Sequence, residues 1–547
     1  MSNKSETNKS AIGNEAVLIT SGDLRLPANQ ACWPAQAELE SKLVKVFAAE
    51  GVTLRRAFPY DATAGHGFIR SQRHGMDVFE TLDPETPLVF ATAAWQYTHH
   101  VLPGMRSHRG PILTLANWSG QWPGLVGMLN LNGSLIKAGK PFSSAWSVDF
   151  EDATSRAWLH EWITSGHITH DLTHVRDFDC AKLKAGDAEQ GAALAAHMKR
   201  HKAIFGIFDE GCMGMYNAII DDELLNSAGI FKERLSQSAL VARMRTVSDE
   251  DAQGVYSWLL ARGLKFATGK VAATDLTVEQ ILEQCKMYIA ALRIANDFGC
   301  DVIGIQYQQG LKDMVPASDL PEGLLNNQDR PPVLAEDGKT ELYPGAPLPT
   351  FNEVDEGAGV DELITNRVWT ALGLDPSTTL HDVRWGEDFP LPGGAKFVWT
   401  FQISGAAPAN HLVGGYAGAT SERQPPMYFP LGGGTLNGVG KPGEIVWSRV
   451  FVEGNQLHAD LGRGNVVALP AEETERRRGL TTPQWPIVHA VLNGVSRDQF
   501  MARHRANHIN VAYAPTAEQA DQALAVKAAM LQKLGIHVHL CGDVRWI

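Results

Sequence analysis

Short apolar runs bounded by turn residues recur along the first third of the chain. Ala16–Thr20 (AVLIT), Pro87–Thr92 (PLVFAT) and Pro111–Ala116 (PILTLA) read as buried strands of a parallel sheet. A strand covered on both faces shows a continuous apolar run rather than polar alternation. The stretch Ala35–Ala49 between the first two is amphipathic and reads as a helix. A second unit of the same kind starts near residue 170, where Lys202–Phe208 (KAIFGIF) reads as a strand entering the loop Asp209-Glu210-Gly211. The segment 277–298 is the clearest helix. Thr277 and Gln280 have capping-box spacing, Ile281, Met287, Ile289, Leu292 and Ile294 supply apolar positions, and Gly299 closes it. Asp301–Ile305 then reads as a strand opening into Gln306-Tyr307-Gln308-Gln309-Gly310, and the Pro/Gly/Asn-rich stretch 320–352 reads as loop.

Beyond about 370 the pattern changes. Val398–Ile403, Glu444–Glu453 and Gln456–Leu461 read as paired strands with Gly-rich turns, which points to antiparallel sheet. A last helix, capped by Thr516 with Gln519 three residues on, leads into Ile536–Leu540, where His537 and His539 alternate with apolar residues. At 547 residues the chain is too long for one hydrophobic core. The expected divisions are a disordered polar tail (1–15), an N-terminal α/β domain (16–170), a second α/β domain (171–370) and a β-rich C-terminal domain (371–547).

Composition narrows the function classes. Hydrophobic residues at 44% and charged residues at 20% describe an ordinary soluble globular protein. A net charge of −13 disfavours nucleic acid as a partner, since phosphate binding needs basic stripes. No apolar run approaches the roughly 20 residues that span a bilayer, so no membrane association is expected. The first fifteen residues lack the apolar core of a signal peptide, and the six cysteines show no CxxC spacing, so a reducing cytoplasm is the expected location.

Candidate chemistry sits in three distant polar clusters: Asn352-Glu353-Val354-Asp355-Glu356, His381-Asp382-Val383-Arg384 and Arg505-Ala506-Asn507-His508. Glu353, Asp382 and His508 would form an O/O/N donor set suited to Mn2+, Mg2+ or another divalent ion. His167, His170 and His174 have spacings that would put three imidazoles near one helix face, as a rival metal set or a packed cluster. Gly432-Gly433-Gly434 reads equally as a tight turn or as backbone approached closely by a ligand. Arg70-Ser71-Gln72-Arg73-His74 reads as a solvated turn or an anion contact.

Several of these segments, taken in order, resemble the L-fucose isomerase family within the fucose/arabinose isomerase group. Gly211-Cys212-Met213-Gly214-Met215 is similar to the family's glycine–methionine segment, and Gly304-Ile305-Gln306-Tyr307-Gln308 to its GxQxQ strand end. Leu324-Leu325-Asn326-Asn327, Asn352-Glu353-Val354-Asp355, Asp382-Val383-Arg384, the glycine triplet, Trp485-Pro486 and Ala506-Asn507-His508 follow in the family's order, over about residues 200 to 515. The resemblance implies two doubly wound, Rossmann-like α/β domains and a mainly β C-terminal domain. It also implies Mn2+ and a homo-oligomer, typically a hexamer, in which the N-terminal domain helps close a neighbouring subunit's pocket. Thr435 departs from the aromatic residue common after the glycine triplet, and the N-terminal third, with Arg25, Arg70 and Arg73, matches loosely.

On this resemblance Glu353 and Asp382 are expected to bind the metal and act as the acid–base pair of an aldose–ketose isomerisation, with His508 completing the coordination. The substrate is an open-chain sugar of the L-fucose/D-arabinose kind, reacting through a cis-enediol. Gln306, Asn507, Trp485, Thr435 and Arg25 are the expected substrate contacts. Arg384 reads either as a partner that keeps Asp382 ionised or as a structural ion pair. Two alternatives stay open: an isomerase of an anionic hexose, acidic or sulfonated, motivated by Arg70, Arg73 and Thr435, and a non-catalytic sugar-binding protein.

Overall fold

Alternating side chains on β1 (Glu15–Ile19) point to two different cores, which defines the architecture of the N-terminal unit. Ala16 and Leu18 join Val89, Ala91, Leu113 and Leu115 under Leu39, Leu43 and Phe47 of one helix and Leu159 and Trp162 of another. Val17 and Ile19 face the other way, with Leu88, Phe90 and Ile112, onto Val101, Met105, Leu131 and Leu135. Each fully buried side chain of this size contributes roughly 1.5–3 kcal/mol, so both faces must be covered by helices. The strands β1, β2 (Thr53–Arg56), β3 (Leu88–Thr92), β4 (Ile112–Asn117) and β5 (Ser143–Ser147) are all parallel, in the order β2-β1-β3-β4-β5. This is a doubly wound sheet.

The computed structural model describes residues 11–545. The described residues divide into two compact units, one of residues 11–172 with Gly214–Tyr216 and Met501–Asn507, the other of Thr173–Met213, Asn217–Phe500 and residues 508–545. Residues 1–10 of the expected tail lie outside the described residues. From Ala11 onward the chain belongs to the fold, because Ile12 is buried and Glu15 opens β1. The first helix, Leu26–Ala49, starts well before the amphipathic stretch that announces it, with a proline in its first turn and Pro34 inside.

The second unit holds a parallel sheet and a larger mixed one. Its strands are β6 (Val175–Asp177), β7 (Ala203–Phe208), β8 (Ile230–Leu235), β9 (Lys265–Phe266), β10 (Val302–Ile305), β11 (Thr350–Asn352) and β12 (Thr379–Leu391). They continue with β13 (Gly394–Gln402), β14 (Thr420–Ser421), β15 (Gly443–Glu453), β16 (Gln456–Val466), β17 (Ile487–Leu492), β18 (His508–Ala514) and β19 (His537–Cys541). The parallel sheet runs β11-β10-β7-β8, and the eight-stranded one β15-β18-β12-β13-β17-β16-β19-β6, mostly antiparallel; β14 and β9 form a two-stranded pair. The chain is thus mixed α/β with helix-flanked parallel sheets and a sheet-rich C-terminal region.

Strand β6 pairs with β19, and Gly191 of the helix Ala185–His201 lies against Val526 and Ala529 of the helix Ala517–Leu534. The segment after residue 172 and the C-terminal end therefore share one unit, across the 370/371 division expected from sequence. The helix Val278–Phe298 carries the full capping box of Thr277 and Gln280 and ends at Gly299 in the left-handed conformation. Two expectations change. The stretch 320–352 is not all loop, since Asp319–Leu325 is a short, fully buried helix. His167, His170 and His174 do not share a helix face, because the helix Ala153–Ser165 stops at Gly166, whose φ of 78° is the left-handed cap that ends it. His170 instead stacks on Trp146, with its ring Nε2 2.9 Å from Ser144 O. Among the described residues no helix is long and apolar enough to cross a membrane.

Candidate metal centre

Strand ends and cross-strand register bring the three clusters together. Asp382 on β12 and His508 on β18 are register partners on neighbouring antiparallel strands, and His508 Nε2 lies 3.3 Å from Asp382 Oδ1. A register shift between Val383 and Trp385 follows immediately, a bulge of the kind that re-aims side chains beside active sites. Glu353 comes from the other sheet. It follows β11 at the carboxyl end of the parallel strands, where open α/β sheets bind ligands, and its Oε2 lies 3.6 Å from His508 Nε2.

The turn that carries Glu353 is strained. Glu353 and Val354 both have positive φ, 60° and 54°, and a β-branched residue is rarely found there. Each such residue costs on the order of 1–3 kcal/mol and persists only where its surroundings over-determine it. Those surroundings are a second left-handed turn, Gly211–Gly214, with φ of 42° at Cys212 and 50° at Met213. The Cys212 thiol donates to Val354 O. The Gln306 amide donates to Glu353 O at 3.0 Å and accepts from Met213 N at 3.1 Å, so it bridges both turns. Gln306 is completely buried, and both ends of its amide face backbone. Gln308, two residues on, reaches the carboxylate itself, donating to Glu353 Oε1 at 3.3 Å.

His508 is held from behind by Asp355. Its Nδ1 donates to Asp355 Oδ2 at 2.7 Å, which fixes the ring with Nε2 toward Asp382 and Glu353. A carboxylate on the far nitrogen is the usual way to orient a metal-binding imidazole and raise its basicity. Asp355 also takes both ends of the Arg449 guanidinium, at 2.7 and 2.8 Å, and its Oδ1 caps the helix Glu356–Ala371 through Ala358 N. Asp355, Arg449 and His508 side chains are all at most 1% exposed. Burial disfavours the charged imidazole, but hydrogen bonds and charge from Asp355 and Asp382 outweigh it and push the His508 pKa up to about 10. Burial likewise opposes ionisation of Asp355, yet the Arg449 charge and the His508 hydrogen bond hold it well below the usual carboxylate range.

This donor set fits a divalent ion. Among the described residues no three His, Cys, Asp or Glu side chains already close into a metal cage. Neighbouring ligands on an octahedral ion at about 2.1 Å nonetheless sit about 3 Å apart, close to the separations of 3.3 and 3.6 Å found here. A proton on His508 Nε2 would offset only part of the charge of the two facing carboxylates, and an ion bound there would displace it.

The other expected site residues are distributed as follows. Trp485 is buried, its indole donates to Gln424 Oε1 at 2.8 Å, and the Arg384 guanidinium lies 5.6 Å over its ring. Thr435 is buried behind the glycine triplet. That triplet is a turn braced by the helix Val278–Phe298, with Gly433 N and Gly434 N donating to Gln280 Oε1 and Gln284 Oε1. Gly433, at φ 91°, would meet Ala317 N at 2.8 Å with any Cβ, so the protein's own backbone accounts for the glycine. Arg25 belongs to the N-terminal unit, where Asp23 engages its guanidinium at 2.7 Å. Asn507 is grouped with that unit too and is fully buried. Arg70 and Arg73 lie on the surface, paired with Asp61 and with Asp77 and Glu80.

Sequence reasoning left Asp355, Arg449 and Gln308 without roles. The available signals were an Asp directly before a helix, a lone Arg inside the apolar strand Gly443–Glu453, and the second Gln of the 304–308 segment. Comparison of the chain with known protein families and with curated proteins finds no match.

Proposed function

We propose that this chain is a metal-dependent aldose–ketose isomerase of the L-fucose isomerase type, converting an open-chain sugar through a cis-enediol. The observation that carries the reading is the approach of His508 Nε2 to Asp382 and Glu353 with Asp355 locked behind the ring. Glu353, Asp382 and His508 would hold Mn2+, with Mg2+ or another divalent ion as substitute. When bound, the ion supplies Lewis-acid stabilisation of the charge that develops on the substrate's carbonyl oxygen. One carboxylate of the Glu353/Asp382 pair removes the proton from the carbon beside the carbonyl, and the protonated partner returns a proton to the former carbonyl carbon. The hydroxyl proton of the first carbon passes to the former carbonyl oxygen. Gln308 holds one oxygen of Glu353, which fixes the direction of the other. Trp485 offers an apolar face, and Thr435 is retained as a sugar contact of the same unit.

The same reading brings the rest of the family's features as proposals. They are two α/β domains and a mainly β domain, a homo-oligomer (a hexamer) whose neighbouring N-terminal region completes the pocket, and a cytoplasmic location. A neutral deoxy-sugar or pentose stands ahead of an anionic hexose, because Arg70 and Arg73 are already ion-paired. The test is proton NMR in deuterium oxide with Mg2+ supplied, comparing a panel of neutral and anionic sugars. Deuterium entry at C1 or C2 of one sugar, abolished by chelator, is expected. Chelator-insensitive exchange, or sugar binding without any exchange, refutes the proposal.

A further inference from the structure

A cleft of about 540 Å³ opens on the N-terminal unit, along the loop that leaves β2 and runs into the helix Gln72–Glu80. It lies past the carboxyl end of a parallel strand, where open α/β sheets take ligands. None of the metal-centre residues lines it. The lining is pre-formed by local hydrogen bonds. Asp61 and His66 pair across a tight turn, and Asp61 Oδ1 accepts from Thr63 N and Ala64 N at 2.9 and 3.0 Å. Gln30 Nε2 donates to Ala64 O at 3.0 Å, and Ile69 bridges to Ser21 just after β1.

Two kinds of surface meet in this cleft. Phe58, Tyr60 and Phe68 supply aromatic rings, and Trp33 backs two of them, 5.4 Å from Tyr60 and 5.3 Å from Phe68. Tyr60 nevertheless stays 47% exposed. Beside the rings stand two ion pairs, Arg70–Asp61 at 2.7 Å and Arg73–Asp77 at 2.6 Å, whose charges cancel.

His66 supplies an independent sign of a ligand. It lines the cleft while being 1% exposed, and its Nδ1 accepts from Phe68 N at 3.1 Å. Burial and the Arg70 charge hold its pKa below the ordinary value, so the ring is neutral at pH 7 and its one proton sits on Nε2. That N–H meets no acceptor. Buried N–H groups are nearly always paired, because leaving one unpaired is costly. His74, in the same lining, is likewise kept neutral by burial, and its Nδ1 has no partner.

We propose that this cleft binds the closed-ring form of a neutral monosaccharide, one of whose hydroxyls accepts from His66 Nε2. The ligand class follows from the lining. Aromatic faces suit the C–H face of a sugar ring, and each Arg–Asp pair sets donors beside acceptors, which suits neighbouring hydroxyls. An anion would have to compete with Asp61 or Asp77 for its arginine. The proposal stands apart from the reaction above, since a closed ring has no free carbonyl to isomerise.

Methyl glycosides give the test, because they cannot open. Full-length His508→Ala protein in EDTA has neither the imidazole nor an ion at the metal centre. It is titrated with the methyl glycosides of L-fucose, D-galactose, D-glucose and D-xylose, followed by ligand-observed saturation-transfer NMR. At least one should bind with a Kd on the order of 1 mM, ordinary for a ligand of about a dozen heavy atoms. Tyr60→Ala and His66→Phe should each weaken it about 10-fold. Should His66→Phe not fold, Tyr60→Ala, on a half-exposed ring, decides alone. Adenosine and inorganic phosphate serve as comparisons. No glycoside binding, binding untouched by these substitutions, or tighter binding of adenosine or phosphate than of any glycoside overturns the proposal.

Discussion

Replacing Asp355 by Asn tests the support behind His508 without changing the shape of the residue. In the native protein its carboxylate serves Arg449 through two bonds, His508 through one and Ala358 N as a helix cap. Asn keeps a cap acceptor but carries no charge. The Arg449 guanidinium, 1% exposed, is then a buried cation without its partner, which costs about 3–5 kcal/mol. Loss of the carboxylate behind a metal-binding imidazole lowers metal affinity about 10- to 100-fold, or about 1.4–2.7 kcal/mol. Urea unfolding reads the first effect and Mn2+ calorimetry the second. Arg449→Met separates them, since it removes the guanidinium while leaving Asp355 against His508. It should lower stability while keeping Mn2+ affinity near native. An Asp355→Asn protein within about 0.5 kcal/mol of native stability and with unchanged Mn2+ affinity would refute the support role.

Three further outcomes follow from the same geometry. Glu353→Gln should fold and lose about 10²- to 10⁴-fold in isomerisation rate, measured on whichever sugar exchanges deuterium, because an amide cannot accept the proton. The metal-free protein should lose stability as pH rises from 6.5 toward 10, by up to about 1.4 kcal/mol per pH unit. The sign follows from the raised His508 pKa: its contribution is complete below the unfolded value and vanishes above the folded one. Saturating Mn2+ should abolish this slope, and urea unfolding at several pH values reads both. Gly433→Ala should destabilise by about 1–3 kcal/mol, seen as a lower thermal midpoint, since it sets a Cβ against Ala317 N in a left-handed backbone.

What could be read from the sequence was mostly local. The capping box at Thr277 and Gln280 and the apolar runs that became β1, β3 and β4 depend on neighbours a few residues away. The three ligand-type residues were legible through ordered short segments rather than through any single spacing. The rest depends on distant partners. Arg449 meets Asp355 across 94 residues and His508 meets it across 153, separations that leave no periodic mark. The left-handed Glu353–Val354 turn opposes what a valine prefers, so local propensity argues against it. The helix expected for His167–His174 failed for the opposite reason, because a single residue, Gly166, ended it early.

The separation of Asp355 from its partners also sets an order of events on the ribosome. At typical synthesis rates of about 5–20 residues per second, Arg449 emerges about 5–20 seconds after Asp355, and His508 about 8–30 seconds after it. A nascent chain at that stage can neutralise Asp355 with arginine but has no imidazole to place beside Glu353 and Asp382. On the proposed metal centre, ion uptake would therefore be a late step of biogenesis, and a chain stopped before residue 508 would lack the imidazole of that centre however well its earlier sheets had formed.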